Sequence, residues 1–222
     1  MVQTFSSHAI APAAVLRGEG AWAEAFPKIR ALCSKPLVLG RSSSTSGLRR
    51  QLFADLAGTG LTPTTAQLQF DCCEQDLARL NLESNGCDAV IAAGGGKVLD
   101  AGKLLAHRLS LPCITVPLSA ATCAGWTALS NIYSPEGAFE GDVSLSRCPD
   151  LLVFDHGLVR QAPPRTLASG VADALAKWYE ASVSSADSSD GLVQQAVQMA
   201  RVLRDQLLID SPAAMDDINS AA

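Results

Sequence analysis

The sequence predicts an α/β chain that becomes all-helical toward its C-terminal end, and three observations support this. Short apolar runs alternate with helix-compatible segments through the first two-thirds, the pattern of parallel strands covered by helices on both sides. One apolar run breaks into three consecutive glycines ahead of a helical segment. After Pro163-Pro164 no strand pattern remains. The expected organisation is a parallel-sheet, Rossmann-like nucleotide-binding domain over residues 1–162, then the first helices of an incomplete all-α domain over 163–222.

In chain order, Pro36 to Gly40 (PLVLG) reads as a strand and Leu48 to Leu56 as part of a helix. Thr64 to Phe70 reads as the next strand, Glu74 to Leu82 as a helix, and Ala89 to Ala93 as a strand of small and β-branched residues. Lys97 to Arg108 is the helix after the glycines, followed by strands at Cys113 to Val116 and Leu151 to Phe154. Between Pro117 and Pro149 the chain is rich in Ser, Thr, Ala and Gly, and Ser134-Pro135-Glu136-Gly137 marks a hairpin turn. Leu167, Val171, Ala174, Leu175 and Trp178 recur at helical spacing, and Val193 to Leu208 is a second amphipathic stretch. Two helices do not cover each other well enough to stand alone. The sequence therefore reads as part of a longer enzyme, and self-association or a partner is expected to cover the apolar face from Leu167 to Trp178.

Composition narrows the function classes. With 222 residues, 48% of them hydrophobic and 18% charged, the chain can bury a sizeable core. A net charge of −5 and a pI near 5.1 argue against nucleic-acid and anionic-membrane partners. The nearest thing to a basic cluster is Arg41, Arg49 and Arg50. No apolar run reaches the roughly 18 residues of a membrane span. The N-terminal stretch has neither a basic start nor a sustained apolar core, so no secretory leader is expected. Seven cysteines, with no CxxC spacing, read as reduced thiols in a cytoplasmic protein. Only His8, His107 and His156 are available as imidazole ligands, and His156 reads as the start of a surface helix.

The segment Gly94-Gly95-Gly96-Lys97 joins a strand to a helix N-terminus. Glycine permits a ligand to touch the backbone and permits positive φ, and the helix end directs free N–H groups at an anion. The expected guest is a pyrophosphate, the alternative being a tight turn without ligand. The spacing is neither GxGxxG nor a Walker loop, which would need Gly at position 91 and Ser or Thr at 98 where Ile91 and Val98 stand. Asp100 and Lys103, three and six residues beyond Lys97, are expected to share its helical face toward a charged ligand.

Three segments in order, GGGKVLDAGK, PLSAATCAGWTALSNIYSPEGAFE and APPRTLASGVADALAKWYE, together resemble the iron-type, metal-dependent alcohol dehydrogenase family, and within it the glycerol dehydrogenases. The resemblance runs roughly from Val15 to Glu180. It implies that Gly94, Gly95, Gly96 and Lys97 bind the pyrophosphate of NAD, with Asp100 close to the cofactor. It implies that Leu118, Ala121, Thr127, Leu129 and Tyr133 lie along the nucleotide. It assigns Asp173 as a ligand of the catalytic divalent metal, zinc or iron. It also implies the reaction, in which hydride passes between a carbinol carbon of a small alcohol or polyol and the nicotinamide.

On chemistry alone Asp173 has two readings. Val171, Ala174 and Leu175 beside it suggest burial, which favours a cation; Lys177, one turn on, offers an ion pair. The family's remaining metal ligands are histidines of its later helical half, so the metal site is expected to be incomplete here. Cys123 stands where the resemblance implies a carboxylate that contacts polyol hydroxyls, which makes it a catalytic-site candidate and leaves thiolate ligation as an alternative. Leu118 stands in place of a threonine that would hydrogen-bond the nucleotide. Arg41, with Ser42 to Ser44, follows a strand where NAD-dependent members carry an acidic residue. It reads either as a 2′-phosphate ligand selecting NADP or as a solvated loop arginine. Two other functions compete: a non-catalytic nucleotide-binding module, and a fold relative of glycerol-1-phosphate dehydrogenase or dehydroquinate synthase type acting on phosphorylated compounds.

Overall fold

The structure is a computed structural model and describes residues 8–220, side chains through residue 217. Residues 1–7, on which part of the leader argument rests, and residues 221–222 lie outside the described residues.

The chain runs β1 (Val15–Gly18), α1 (Ala21–Glu24), α2 (Phe26–Leu32), β2 (Pro36–Gly40), α3 (Ser46–Gly58), β3 (Thr64–Gln67), α4 (Glu74–Glu83), β4 (Ala89–Gly94), α5 (Gly96–Leu109) and β5 (Cys113–Pro117). The hairpin β6 (Leu129–Tyr133) and β7 (Phe139–Ser144) follows, then β8 (Leu151–Asp155), α6 (His156–Val159), α7 (Pro164–Ser184) and α8 (Gly191–Ser220). Six strands form one all-parallel sheet in the order β1-β8-β5-β4-β2-β3. Strands β2, β4 and β5 are buried along their whole length, as continuous apolar runs require. On one side Val38, Ile91, Ile114 and Val153 pack with residues of α1, α2 and α3. On the other, Leu37, Leu39, Val90 and Ala92 pack with α4 and α5. Helices α3 and α5 thus leave the neighbouring strands β2 and β4 toward opposite faces. Such a divergence marks the topological switch point, the place where open parallel sheets take ligands.

The structure departs from the sequence reading at the sheet edges. The strand expected over Thr64 to Phe70 stops at Gln67, because the Asp76 carboxylate accepts the N–H groups of Gln69 and Phe70 at 2.9 and 2.8 Å. Three of its four residues are exposed, so it is not apolar on both faces. Strand β1 and helices α1 and α2 carry no clear sequence signal. They are fixed from a distance: Asp155 accepts the Trp22 backbone N–H at 2.9 Å, and Asp55 accepts the Trp22 indole N–H at 3.0 Å.

The chain divides into two compact units, one ending at Leu118 and resuming over Cys123–Gln161, the other formed by Ser119–Thr122 and the helical region from Ala162 on. In the helical unit, Arg204 stacks on Trp178 with 4.0 Å from guanidinium carbon to ring centroid. Helix α8 continues past the expected end at Leu208 to Ser220, with Pro212 inside it. None of α7 is fully buried. Helix α7 passes so close to the 119–122 segment that a Cβ on Gly170 would overlap the Ala120 carbonyl oxygen. Gly170→Ala is therefore expected to lower the stability of this unit by about 1–3 kcal/mol through overpacking, measured by chemical denaturation followed through Trp178.

Candidate functional site

The glycine turn sits where the sequence places it. Gly94 ends β4, Gly95 caps α5 in an extended conformation (φ −88°, ψ −172°), and α5 starts at Gly96. None of the three adopts positive φ, so the expected use of left-handed backbone is not realised. What glycine supplies is space: a Cβ on Gly94 would lie 2.8 Å from the Val98 Cβ. Gly102 lets α5 lie directly on β4, since a Cβ there would overlap that of Ala92. Gly94 and Leu118 link the ends of β4 and β5, the Leu118 N–H donating to the Gly94 carbonyl at 3.1 Å. The first N–H groups of α5 have no acceptor within their own helix and lie at this turn, at the carboxyl end of β4.

The expected shared face of Lys97, Asp100 and Lys103 is corrected. Lys97 keeps a half-exposed side chain at the turn, and its ammonium pairs with Asp71, which is 2% exposed. Asp71 Oδ1 also accepts the Cys72 N–H at 2.8 Å. The Lys97 ammonium lies 5.7 Å from the centroid of the Tyr133 ring. Lys103, by contrast, turns inward: its side chain is 1% exposed and pairs with Asp100 at 3.1 Å. It donates to Thr127 O and Oγ1 at 3.2 and 3.1 Å and to Leu129 O. Burial raises the Asp100 carboxyl above its ordinary value, opposed by the Lys103 charge and by the Asn131 backbone N–H. Ser130 Oγ adds a bond to the Asp100 carbonyl at 3.0 Å. Lys103 and Asp100 thus fasten the β6–β7 hairpin to α5. Sequence reasoning missed Asp71, whose one signal is its place between a strand and a helix N-terminus.

Other expected site residues fall as follows. Leu118 is 2% exposed and its side chain belongs to the core. Thr127 and Leu129 meet Lys103, and Tyr133 closes the turn from the hairpin, its N–H donating to Cys72 O at 2.9 Å. Ala121 lies in the helical unit, beside the Gly170 contact. Arg41 is exposed and its Nε donates to Phe70 O at 2.9 Å. Cys123 is an exposed free thiol, while burial pushes the thiols of Cys33, Cys72 and Cys113 up to about 12, out of reach of thiolate chemistry.

Asp173 is not buried, as its neighbours suggested. Its side chain is half exposed and pairs with Lys177 at 3.2 Å, the ion-pair reading. No group of three His, Cys, Asp or Glu side chains that could hold a metal occurs among the described residues. A lone exposed carboxylate held by a lysine does not fit a catalytic metal centre. The glycine turn does fit the pyrophosphate of a dinucleotide: a backbone cradle at a helix N-terminus with a cation on its rim.

Comparison with known proteins gives a consistent result. The family described as iron-containing alcohol dehydrogenase matches residues 12–156. The chain is 48% identical over 217 residues to an uncharacterized oxidoreductase of Synechocystis, covering 97% of this chain and 56% of that protein. It is 31% identical over 194 residues to a glycerol dehydrogenase of Escherichia coli, covering 84% of this chain and 53% of that protein. The solved structure of a probable glycerol dehydrogenase of Sinorhizobium meliloti superposes with a TM-score of 0.81 at 25% identity, over 98% of this chain and 61% of that one. The chain spans about half the length of the curated relatives it matches. Among the described residues, no helix is long and apolar enough to cross a membrane.

Proposed function

Because the chain belongs to the iron-containing alcohol dehydrogenase family, we propose that it carries the cofactor-binding part of an NAD(P)-dependent alcohol or polyol dehydrogenase. The observation that carries this reading is the cradle of Gly94 to Gly96 at the N-terminus of α5, with Lys97 on its rim. A bound nicotinamide dinucleotide supplies the hydride acceptor or donor. This chain's residues do the binding. The free N–H groups at the start of α5 and the Lys97 ammonium take the pyrophosphate. Thr127, Leu129 and Tyr133 form a hairpin wall, held to α5 by Lys103 and Asp100. Cys123, exposed beyond β5, is the residue proposed to face the substrate alcohol. The divalent metal has one candidate donor here, Asp173, which does not by itself fit a site, so no chemical step is derived through it.

Saturable enhancement of NADH or NADPH fluorescence on titration with this chain is the expected result. No saturation with either nucleotide would overturn the reading. Arg41 decides which binds better. Its Nε is engaged by Phe70 O, and its outer nitrogens have no protein acceptor among the described residues. We expect NADPH to bind about tenfold or more tighter than NADH, the size of a charged hydrogen bond to phosphate. Arg41→Asp should reverse that order. Tighter NADH binding that persists unchanged in Arg41→Asp would remove Arg41 from the cofactor site.

A further inference from the structure

Two cationic side chains are buried among the described residues, Arg49 and Lys103. Lys103 has Asp100 and three further oxygens around it. Arg49 has no carboxylate partner: its one acceptor is the Thr45 hydroxyl, reached through Nη1. The residue is 7% exposed, and burial pulls the guanidinium below its ordinary value. A buried charge without a counter-ion is costly and marks a place where an anion would be stabilised.

The surroundings suit such an anion. Arg49 lies across the end of β2, where only glycine leaves room, since a Cβ on Gly40 would overlap the Arg49 Cδ and Nε. It borders an open cavity of about 490 Å³ lined also by Ser46, Arg50, Val38, Phe53 and Gln67. Ser46 is the first residue of α3, whose first turn holds no acidic residue. Two adjacent arginines near a helix N-terminus, where the dipole disfavours cations, both border this cavity. Paired arginines elsewhere, such as Arg79 with Asp76 and Glu83, or Arg108 with Glu74, show the usual arrangement. Val38 and Phe53 add an apolar wall against which the carbon part of a ligand can rest.

We propose that the cavity between α3 and β3 is a second anion seat, distinct from the glycine turn, that takes a phosphate monoester with Arg49 as its buried anchor and Arg50 as its outer cation. The phosphate has two chemical sources. One is the 2′-phosphate of NADP, in which case the inference rests on the dehydrogenase reading and Arg49 with Arg50 replaces Arg41 as the holder of that phosphate, so that Arg41→Asp leaves the nucleotide preference unchanged; the other is a separate phosphorylated small molecule, which does not need that reading. A guanidinium fork and a second cation match a dianionic phosphate better than a single carboxylate.

The test follows the side-chain Nε–H resonances of Arg49 and Arg50 in the 222-residue chain, assigned with Arg49→Lys and Arg50→Lys. Inorganic phosphate, 2′-AMP and 5′-AMP are titrated separately. Both resonances should shift saturably, and Arg50→Gln, at an exposed position, should weaken the response about tenfold. Lys97→Gln should leave it unchanged, which separates this seat from the glycine turn. A preference for 2′-AMP over 5′-AMP and inorganic phosphate identifies the cofactor as the source; equal responses to 2′-AMP and inorganic phosphate identify a separate ligand. No shift of either resonance at about 10 mM of any of the three probes would overturn the proposal, as would a response that Arg50→Gln leaves intact. NADH titration is read independently, so failure of the seat and failure of the dehydrogenase reading remain distinct.

Discussion

Lys103→Met is expected to cost the α/β unit about 3–5 kcal/mol of stability, seen as a lower urea midpoint. Methionine preserves most of the stem but removes the ammonium that meets Asp100, Thr127 and Leu129. The Asp100 carboxylate would stay behind in a site where it is itself almost fully buried. The pH dependence gives a second readout. Burial is the main cause that holds the Asp100 carboxyl above its ordinary 3.8, and the Lys103 charge opposes that rise. A carboxyl raised in the folded state favours folding fully below its unfolded value, and that contribution is lost as pH rises through its folded value. Without Lys103 the folded value moves higher, so the deficit of Lys103→Met should be larger at about pH 8 than at about pH 5. Adding Asp100→Leu should recover most of the loss, because replacing both partners of a buried pair costs far less than removing one. An equal deficit at both pH values would mean that Asp100 is neutralised by something other than Lys103.

That buried pair also shows where sequence reading stops. Strands β2, β4 and β5 are legible because each is a continuous apolar run buried on both faces. The glycine turn is legible because its strand, gap and helix are adjacent in sequence. Helical spacing is less informative about where a charged side chain ends up. At about 100° per residue, Lys103 lies roughly 120° around the helix from Lys97, enough to move it from the turn to the hairpin. Which of the two lysines stays at the turn is then decided by β6, whose Leu129 carbonyl is reached only through tertiary packing. Asp71 is hidden for the same reason, 26 residues from the lysine it holds. Asp173 shows the converse: apolar neighbours at helical spacing suggest burial, yet no residue of α7 is fully buried. Arg49 is present in the sequence as one of three nearby arginines, and its lack of a carboxylate emerges only from the packing of α3 over Gly40.

Lys97→Ala is expected to weaken NADH binding by about 10–100-fold, the loss of one charged hydrogen bond to the pyrophosphate. The dependence of affinity on salt should become shallower as well, since one cation no longer meets the anion. The role of Asp71 is to hold that cation at the turn. Its carboxylate is 2% exposed and fixed by the Cys72 N–H, whereas Lys97 is half exposed and reaches both Asp71 and the open side of the turn. Asp71→Asn keeps the shape and the Cys72 bond while releasing the ammonium. Loss of orientation and loss of a negative charge near the ligand then oppose each other, and affinity should stay within about threefold of the parent. Stability separates the pair more clearly: Lys97→Ala leaves Asp71 buried with one backbone donor, a cost of about 1–2 kcal/mol after allowing for the solvent exposure of Lys97. Lys97→Ala with Asp71→Asn should regain that stability without regaining affinity, so the two readouts part company in the double variant. An effect of Asp71→Asn on NADH affinity that persists in the Lys97→Ala background would mean that Asp71 acts on the ligand directly and not through Lys97.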